Sequence, residues 1–212
     1  MTIRVYLVDD HAMVRNAFKM LLESDAEIKI VGMAGDGRTA VNEVCNMPVD
    51  LVIMDITMPE LNGIEAISQI KAVKPEVKIL VLTMHSTTEH IYRAYQAGAS
   101  GFLLKEETRD MIQAVHSVIN GERLVSTKIA DFGNYLYQVS NERSPLDKLS
   151  MREREVLQLT VEGKSAEETA IILSLSPKSV ETYRTRLKKK LGVNDLPSLV
   201  MFAIQHGITP LR

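Results

Sequence analysis

Residues 50–63, DLVIMDITMPELNG, decide the fold, because a short apolar run ends there abruptly at an aspartate. Residues 51–54 have the length and composition of a strand that is buried on both faces. Asp55 follows at once, and a loop containing Pro59 and Gly63 comes after it. The stretch predicts a buried parallel strand with a carboxylate at its carboxyl end.

The same pattern recurs on both sides of this stretch. Further apolar runs of strand length occupy residues 5–8, 28–31, 79–82 and 101–104. Segments with apolar residues at helical spacing lie between the runs and after the last one. Five strand–helix units in succession predict an α/β fold, a doubly wound five-stranded parallel sheet with helices on both faces.

A different organisation begins after Gly121. Residues 123–147 read as a linker with a short helix, since periodic apolar residues up to position 136 give way to the polar run SNERSP. Four helices are then predicted, at 151–162, 166–173, 177–191 and 196–206. Ser176 before Pro177 suits a helix start, and Gly192 suits a helix end. A smaller all-α domain therefore follows the sheet domain.

The net charge of −2 conceals a split between the two parts of this 212-residue chain. Residues 1–145 carry 14 Lys and Arg against 19 Asp and Glu, whereas residues 146–212 carry 11 against 8. An acidic N-terminal part favours a domain for cation binding or phosphate chemistry, and a basic C-terminal part favours binding of a polyanion. No apolar run approaches the roughly 20 residues that span a bilayer, and Cys45 alone forms no intrachain disulfide, so we expect a cytoplasmic protein without a membrane partner.

Polar side chains follow four of the predicted strands. Asp9 and Asp10 follow the first, Asp55 the third, Thr83 the fourth and Lys105 the fifth. Because ligands of such sheets bind beyond the carboxyl ends of the strands, these groups should share one crevice. Clustered carboxylates suit Mg²⁺, and a carboxylate beside a cation can attack phosphorus to give an aspartyl phosphate. The alternative for each residue alone is an ordinary helix cap or solvated loop residue.

These residues and their spacing resemble a known family. The set comprises Asp9, Asp10, Asp55, Pro59, Gly63, Thr83, Phe102 and Lys105. Through this set, residues 1–122 resemble the receiver domain of bacterial two-component response regulators, which implies that the doubly wound sheet is of the flavodoxin-like type. The resemblance implies that Asp55 is the phosphoacceptor, and that Asp10, Asp55 and the Thr57 carbonyl bind Mg²⁺ with Asp9 assisting through water. It also implies that Thr83 and Lys105 bind phosphoryl oxygens.

By the same resemblance, Phe102 would be an aromatic switch that turns inward when Thr83 moves, although a core aromatic is the alternative. Thr57 and His85 stand where family members vary in how easily water reaches the acyl phosphate. For His85 a half-exposed loop position is the simpler interpretation, and for His11 a place in the first helical turn.

The segment SPKSVETYRTRLKKKLG, residues 176–192, predicts a helix with one apolar and one basic face. Val180, Tyr183, Leu187 and Leu191 share the apolar side, and Thr182, Thr185 and Lys189 lie opposite. A helix with this polar face can enter the major groove of DNA, although a solvated amphipathic helix is the alternative. The preceding helix and short turn favour a helix-turn-helix unit.

Within the predicted second domain at 148–212, residues 149–207, which begin LSMREREVLQL, resemble the LuxR-type helix-turn-helix DNA-binding domain. A receiver followed by this domain is the arrangement of the NarL/FixJ response regulators. The resemblance implies a DNA-binding set that comprises Lys178, Ser179, Glu181, Thr182, Tyr183, Arg184, Thr185, Lys188 and Lys189. Glu181 and Thr169 depart from the residues usual in the family. Leu199, Val200 and Ala203 of the last helix resemble a dimer contact, and core packing explains them equally well.

The sequence thus predicts a phosphorylation-dependent transcriptional regulator that is not an enzyme in the usual sense. Its expected partners are a sensor histidine kinase, promoter DNA and, when active, a second copy of the chain. One alternative is a DNA-binding regulator whose receiver ignores phosphate. Another is a Mg²⁺-dependent phosphohydrolase, which usually needs an acid two residues after the nucleophile, where this chain has Thr57.

Overall fold

The computed structural model describes residues 2–84, 88–107, 110–122, 124–125 and 144–209. The chain separates into two compact units. Each unit has its own core, and each is described by itself.

The first unit alternates strands and helices as predicted. Its strands are β1 (Ile3–Val8), β2 (Ile28–Ala34), β3 (Leu51–Asp55), β4 (Lys78–Thr83) and β5 (Gly101–Leu104). Its helices are α1 (Ala12–Leu22), α2 (Gly37–Asn46), α3 (Gly63–Val73), α4 (Thr88–Gln96) and α5 (Met111–Ile119). All pairings are parallel, in the order β2-β1-β3-β4-β5.

Both faces of this sheet are covered by apolar side chains. Tyr6, Met54 and Val81 belong to the core on one face, whereas Leu7, Ile53 and Leu82 belong to the core on the other. Neighbouring residues of one strand alternate between the two faces. Because both faces are buried, each strand is an unbroken apolar run in the sequence. The flavodoxin-like, doubly wound fold predicted from the sequence is confirmed.

A short sixth strand, β6 (Leu124–Val125), pairs in parallel with β5. The sequence placed these two residues in the linker, because two residues cannot display a strand period. The helix predicted around residues 129–136 lies outside the described residues. At the far end of the linker, Pro145–Lys148 forms a single 3₁₀ turn capped by Ser144, whose Oγ accepts a hydrogen bond from Leu146 N.

The second unit contains four helices: α6 (Met151–Val161), α7 (Ala166–Leu173), α8 (Pro177–Leu191) and α9 (Leu196–Gln205). Its core includes Leu157, Leu173, Val180 and Leu187. The bounds agree with the predicted helices to within one residue, because each helix starts at a capping serine or aspartate. Gly192 ends α8 at φ 72°, a backbone conformation that glycine adopts without strain.

Among the described residues, no helix combines the length and the apolar character that a bilayer crossing requires.

Candidate phosphoacceptor pocket and nucleic-acid interface

The carboxyl edge of the sheet gathers the predicted pocket residues. Asp55 and Thr83 are the last residues of β3 and β4, while Asp9 and Lys105 directly follow β1 and β5. Since β1, β3, β4 and β5 are consecutive neighbours in a parallel sheet, their ends reach the same edge. All four side chains are buried or nearly so.

Lys105 joins two of the carboxylates. Its Nζ lies 2.7 Å from Asp55 Oδ2 and 2.6 Å from Asp9 Oδ2. The remaining oxygens accept backbone hydrogen bonds, Asp55 Oδ1 from Ile56 N at 2.8 Å and Asp9 Oδ1 from His11 N at 2.9 Å. A single ammonium therefore bridges two buried acids, and their hydrogen bonds fix both carboxylate planes.

Burial dominates the electrostatics of Asp55. It raises the pKa of this carboxyl to about 6, with a smaller rise from neighbouring Asp9, while the Lys105 ammonium opposes the change. At neutral pH the carboxyl is still mostly ionised, so it is available as a nucleophile. The same two carboxylates raise the pKa of Lys105, although burial acts in the opposite direction.

Asp10 and His11 lie at the mouth of this pocket. His11 Nδ1 lies 2.7 Å from Asp10 Oδ1 and 3.4 Å from Asp9 Oδ1, and the His11 side chain is 69% exposed. Asp9, Asp10 and His11 together bring three ligand atoms within 4.8 Å of one another. Thr57 is half-buried in the loop after β3, and His85 lies outside the described residues.

This pocket fits a divalent cation. Asp9, Asp10 and Asp55 carry three negative charges against the single charge of Lys105, and hard oxygen donors are the ligands that Mg²⁺ prefers. The excess of two negative charges in a largely buried site is costly without a cation.

The loop after Asp55 approaches that residue closely. Gly63 begins α3, and its N–H donates to Ile56 O at 2.7 Å. A Cβ on Gly63 would lie 2.0 Å from the Asp55 carbonyl oxygen, so no larger residue fits without moving the loop. Asn62 caps α3 through its side chain, which accepts from Glu65 N at 3.1 Å. The segment MPELNG therefore fixes the backbone that carries Asp55.

The two predicted switch residues are both buried. Thr83 is 1% exposed at the end of β4. Phe102 is also 1% exposed and belongs to the core on the α3 and α4 side of the sheet, level with Val81 in the β4–β5 register. Phe102 is therefore a core aromatic in this structure, as the alternative interpretation of this residue expects. It lies on the strand next to the one that carries Thr83.

Helix α8 divides into a buried and a solvent-facing side. Val180 and Leu187 are fully buried, and Tyr183 and Leu191 are half-buried against the same core. Of the predicted DNA-binding residues, those exposed are Lys178, Glu181, Thr182, Thr185 and Lys189, and those half-buried are Ser179, Tyr183, Arg184 and Lys188. The polar face is thus turned to solvent, as a groove-binding helix requires.

Arg184 reaches beyond its own helix, because two of its hydrogen bonds go to α6 and to the turn that follows α6. Its Nε donates to Thr160 Oγ1 at 3.1 Å and one terminal nitrogen to the Lys164 carbonyl at 2.7 Å. The other terminal nitrogen donates to Glu181 Oε1 at 2.9 Å. The sequence did not indicate Thr160 or Lys164, since both lie outside the recognition helix.

An ion pair between a buried carboxylate and a half-exposed lysine fixes the C-terminal end of α8. Lys190 Nζ lies 2.6 Å from Glu153 Oε2, and the same oxygen accepts from Ser150 N at 2.7 Å. The S-x-x-E pattern at residues 150–153 signals the capping box, but a sequence does not show which lysine meets its glutamate.

The three residues of the predicted dimer contact differ in accessibility. Leu199 and Ala203 are both fully buried in the core of their own unit, whereas Val200 is half-buried. The structure therefore assigns Leu199 and Ala203 to core packing, because their side chains are covered by their own chain. Among the three, Val200 alone keeps accessible surface for a partner.

Comparisons with known proteins identify the two domains. A family model described as the response regulator receiver domain matches residues 5–116. This chain belongs to the response regulators. In this response regulator a second model, described as bacterial regulatory proteins of the luxR family, matches residues 147–203. The pair of domains is that of the NarL/FixJ group, which makes it a two-component transcription regulator.

Relatives match this chain over almost their whole length. The response regulator UvrY of Escherichia coli K12 is 37% identical over 209 residues, which are 97% of this chain and 95% of UvrY. The response regulator protein VraR of Staphylococcus aureus COL is 33% identical over 213 residues, 98% of this chain and 99% of VraR. A solved structure of two RcsB dimers bound to two parallel DNAs is 26% identical, with a TM-score of 0.60, and covers 97% of this chain and 99% of the RcsB chain.

Proposed function

We propose that Asp55 accepts a phosphoryl group from a sensor histidine kinase or a small phosphodonor, and that this modification controls DNA binding by the second domain. The observation that carries the proposal is the Lys105 ammonium held between Asp55 and Asp9, at 2.7 and 2.6 Å, at the carboxyl edge of the sheet. The domains concerned are a receiver at 1–122 and a DNA-binding domain at 148–212, joined by a linker at 123–147.

In the transfer step, a carboxylate oxygen of Asp55 forms a bond to phosphorus while the bond from phosphorus to the donor nitrogen or oxygen breaks. The donor group leaves with the bonding electrons and is then protonated. Lys105 is placed to neutralise the charge that gathers on the transferred oxygens, since its Nζ already lies beside Asp55 Oδ2. The Thr83 hydroxyl, at the end of the neighbouring strand, would bind a second phosphoryl oxygen.

The residues that would hold Mg²⁺ are Asp10, Asp55 and the Thr57 carbonyl, with Asp9 assisting. When bound, the cation offsets negative charge on the carboxylates and on the incoming phosphoryl group. Asp9 and Asp10 lie together at the end of β1 with ligand atoms grouped near the pocket mouth, which supports this assignment.

The signal then passes from Thr83 to Phe102. Both are buried on the β4–β5 pair, where Thr83 pairs with Leu104 and Phe102 with Val81, so a shift of the Thr83 hydroxyl toward a phosphoryl oxygen would change the packing on the strand that carries Phe102. Helices α4 and α5 flank β5, so their surface is the part of the receiver that this repacking changes. We propose that the changed surface exposes or pairs the DNA-binding domains.

The second domain would bind promoter DNA through α8. Thr182 and Thr185 would face the bases, with Lys178, Lys188 and Lys189 near the phosphates. A dimer reads two half-sites and so multiplies specificity. The RcsB structure, which contains dimers bound to DNA, supports this arrangement.

Intact-mass spectrometry tests the first step. Wild type and Asp55→Asn are incubated with Mg²⁺ and a small acyl phosphate or phosphoramidate, and we expect one phosphoryl group on wild type alone. If neither protein gains mass, a beryllofluoride adduct on wild type would separate a short-lived acyl phosphate from a pocket that is not competent. Absence of both the phosphoryl group and the adduct would favour a regulator that ignores phosphate.

A further inference from the structure

Arg184 and Glu181 form one connected group on the recognition helix α8. Arg184 is only 18% exposed although it lies on a surface helix, whereas Glu181 is 60% exposed. The two side chains are joined by the 2.9 Å hydrogen bond from Arg184 to Glu181 Oε1. The carboxylate therefore faces solvent, and the guanidinium beneath it faces the protein.

Arg184 is itself fixed by α6 and by the turn that follows. Thr160 Oγ1 donates to Val156 O at 2.7 Å, which leaves an oxygen lone pair to accept from Arg184 Nε at 3.1 Å. The Lys164 carbonyl accepts from a terminal nitrogen of Arg184 at 2.7 Å. Because Nε and both terminal nitrogens of Arg184 donate hydrogen bonds, its guanidinium has little rotational freedom left to lose when DNA binds.

We propose that Arg184 is a positioning residue that holds Glu181 for recognition of a cytosine, rather than a contact to DNA phosphate. A carboxylate accepts a hydrogen bond from the cytosine N4 amino group, which is exposed in the major groove. An unpaired glutamate would be repelled by the phosphates, and the adjacent guanidinium offsets that charge. This inference rests on the proposed binding of promoter DNA through α8.

The two roles of Arg184 differ in what they do to salt dependence and base preference. Loss of one phosphate contact lowers the slope of log K against log salt by about 0.9 and weakens binding to all sequences alike. Loss of a residue that positions Glu181 changes the preference at one base pair, and a lysine cannot replace it because an ammonium lacks the planar fork.

The test uses the full chain and a library of randomised duplex DNA, followed by titrations of the selected site and its single-base variants at several salt concentrations. Glu181→Gln, Arg184→Gln and Arg184→Lys are compared with wild type. Lys189→Gln is the control that shows how far the salt slope falls when one exposed cation is lost. We expect all three variants at 181 and 184 to lose about fivefold or more discrimination at the same base pair. We expect the double variant Glu181→Gln/Arg184→Gln to lose no more than either single variant.

Two results would overturn the inference. One is an Arg184→Lys protein with wild-type affinity and base preference, together with an Arg184→Gln protein whose salt slope falls as far as that of Lys189→Gln. The other is an unchanged base preference in Glu181→Gln, a variant that leaves the Arg184 contacts to Thr160 and Lys164 in place. If wild type itself selects no sequence, the proposed function fails instead, so the two failures are distinguishable.

Discussion

Glu153 and Glu168 offer a matched pair for measuring what the ion pair between Glu153 and Lys190 contributes to the stability of the DNA-binding domain. Each is the third residue of its helix, and each accepts a backbone hydrogen bond at 2.7 Å from its capping residue, Ser150 or Ser165. Glu153 is buried with Lys190 Nζ 2.6 Å away, whereas Glu168 is exposed and no cation pairs with it within the described residues. A comparison of substitutions at the two glutamates therefore separates the contribution of the ion pair from that of the helix cap.

The size of the effect follows from the contacts that each substitution removes. Glu168→Gln keeps an accepting oxygen and loses only a charge near a helix N-terminus, which costs about 0.5 kcal/mol. Glu153→Gln also loses the charge-assisted bond to Lys190, and such bonds contribute about 1.5–3 kcal/mol. Because the Lys190 side chain is 42% exposed and water can replace the carboxylate, we expect the lower part of that range, about 2 kcal/mol in total.

Hydrogen exchange of the α6 and α8 core amides in the full chain measures the opening free energy of this domain separately from that of the receiver. Burial acts to raise the pKa of the Glu153 carboxyl, but Lys190 and Ser150 together hold it below its ordinary value. The stabilisation is thus present above the unfolded-state pKa and lost as pH falls through the lower folded-state pKa.

The difference in opening free energy between wild type and Glu153→Gln should therefore become smaller as the pH is lowered. If Glu153→Gln and Glu168→Gln lose equal opening free energy at neutral pH, the ion pair with Lys190 contributes nothing. A difference between wild type and Glu153→Gln that grows in acid would also contradict a stabilising ion pair.

Three further substitutions have definite expected outcomes. Thr169→Val should raise the unfolding free energy of the DNA-binding domain by about 1 kcal/mol in hydrogen exchange, because the Thr169 hydroxyl is fully buried and has no hydrogen-bond partner within the described residues; a loss of stability would contradict this. Gly63→Ala should destabilise the receiver by about 2 kcal/mol or more in thermal unfolding, since its Cβ would meet the Asp55 carbonyl at 2.0 Å, and an unchanged midpoint would contradict that contact. Lys105→Met should raise the pKa of Asp55 above its value of about 6, because the opposing ammonium is gone; carboxyl-carbon NMR titration without Mg²⁺ measures it, and a fall would show that another group sets this pKa.

The arrangement of the pocket could be predicted from the sequence because it depends on backbone topology. Buried parallel strands are continuous apolar runs, and the first polar residue after each run lies at the same edge of the sheet. Asp55 and Lys105 are 50 residues apart, yet this rule brings them to 2.7 Å. The helix bounds of the second domain were predictable for a similar reason, since capping residues act locally.

Contacts between side chains of different helices were not predictable in this way. The family resemblance included Arg184 in the DNA-binding set, but the position of its guanidinium depends on Thr160 and on the Lys164 carbonyl, which lie outside α8. Helical periodicity likewise shows that Leu199 and Ala203 share an apolar face, but not whether that face meets its own core or a second copy. The two-residue strand β6 is too short to have a period at all.

The most direct test of the central claim is the affinity of the full chain for its selected DNA site, measured for wild type and Asp55→Asn with Mg²⁺ and a phosphodonor or beryllofluoride. We expect the affinity for DNA to rise on modification of wild type alone, and binding by both proteins to weaken steeply with salt. Equal affinity of modified and unmodified wild type, at a confirmed stoichiometry of one phosphoryl group on Asp55, would contradict it.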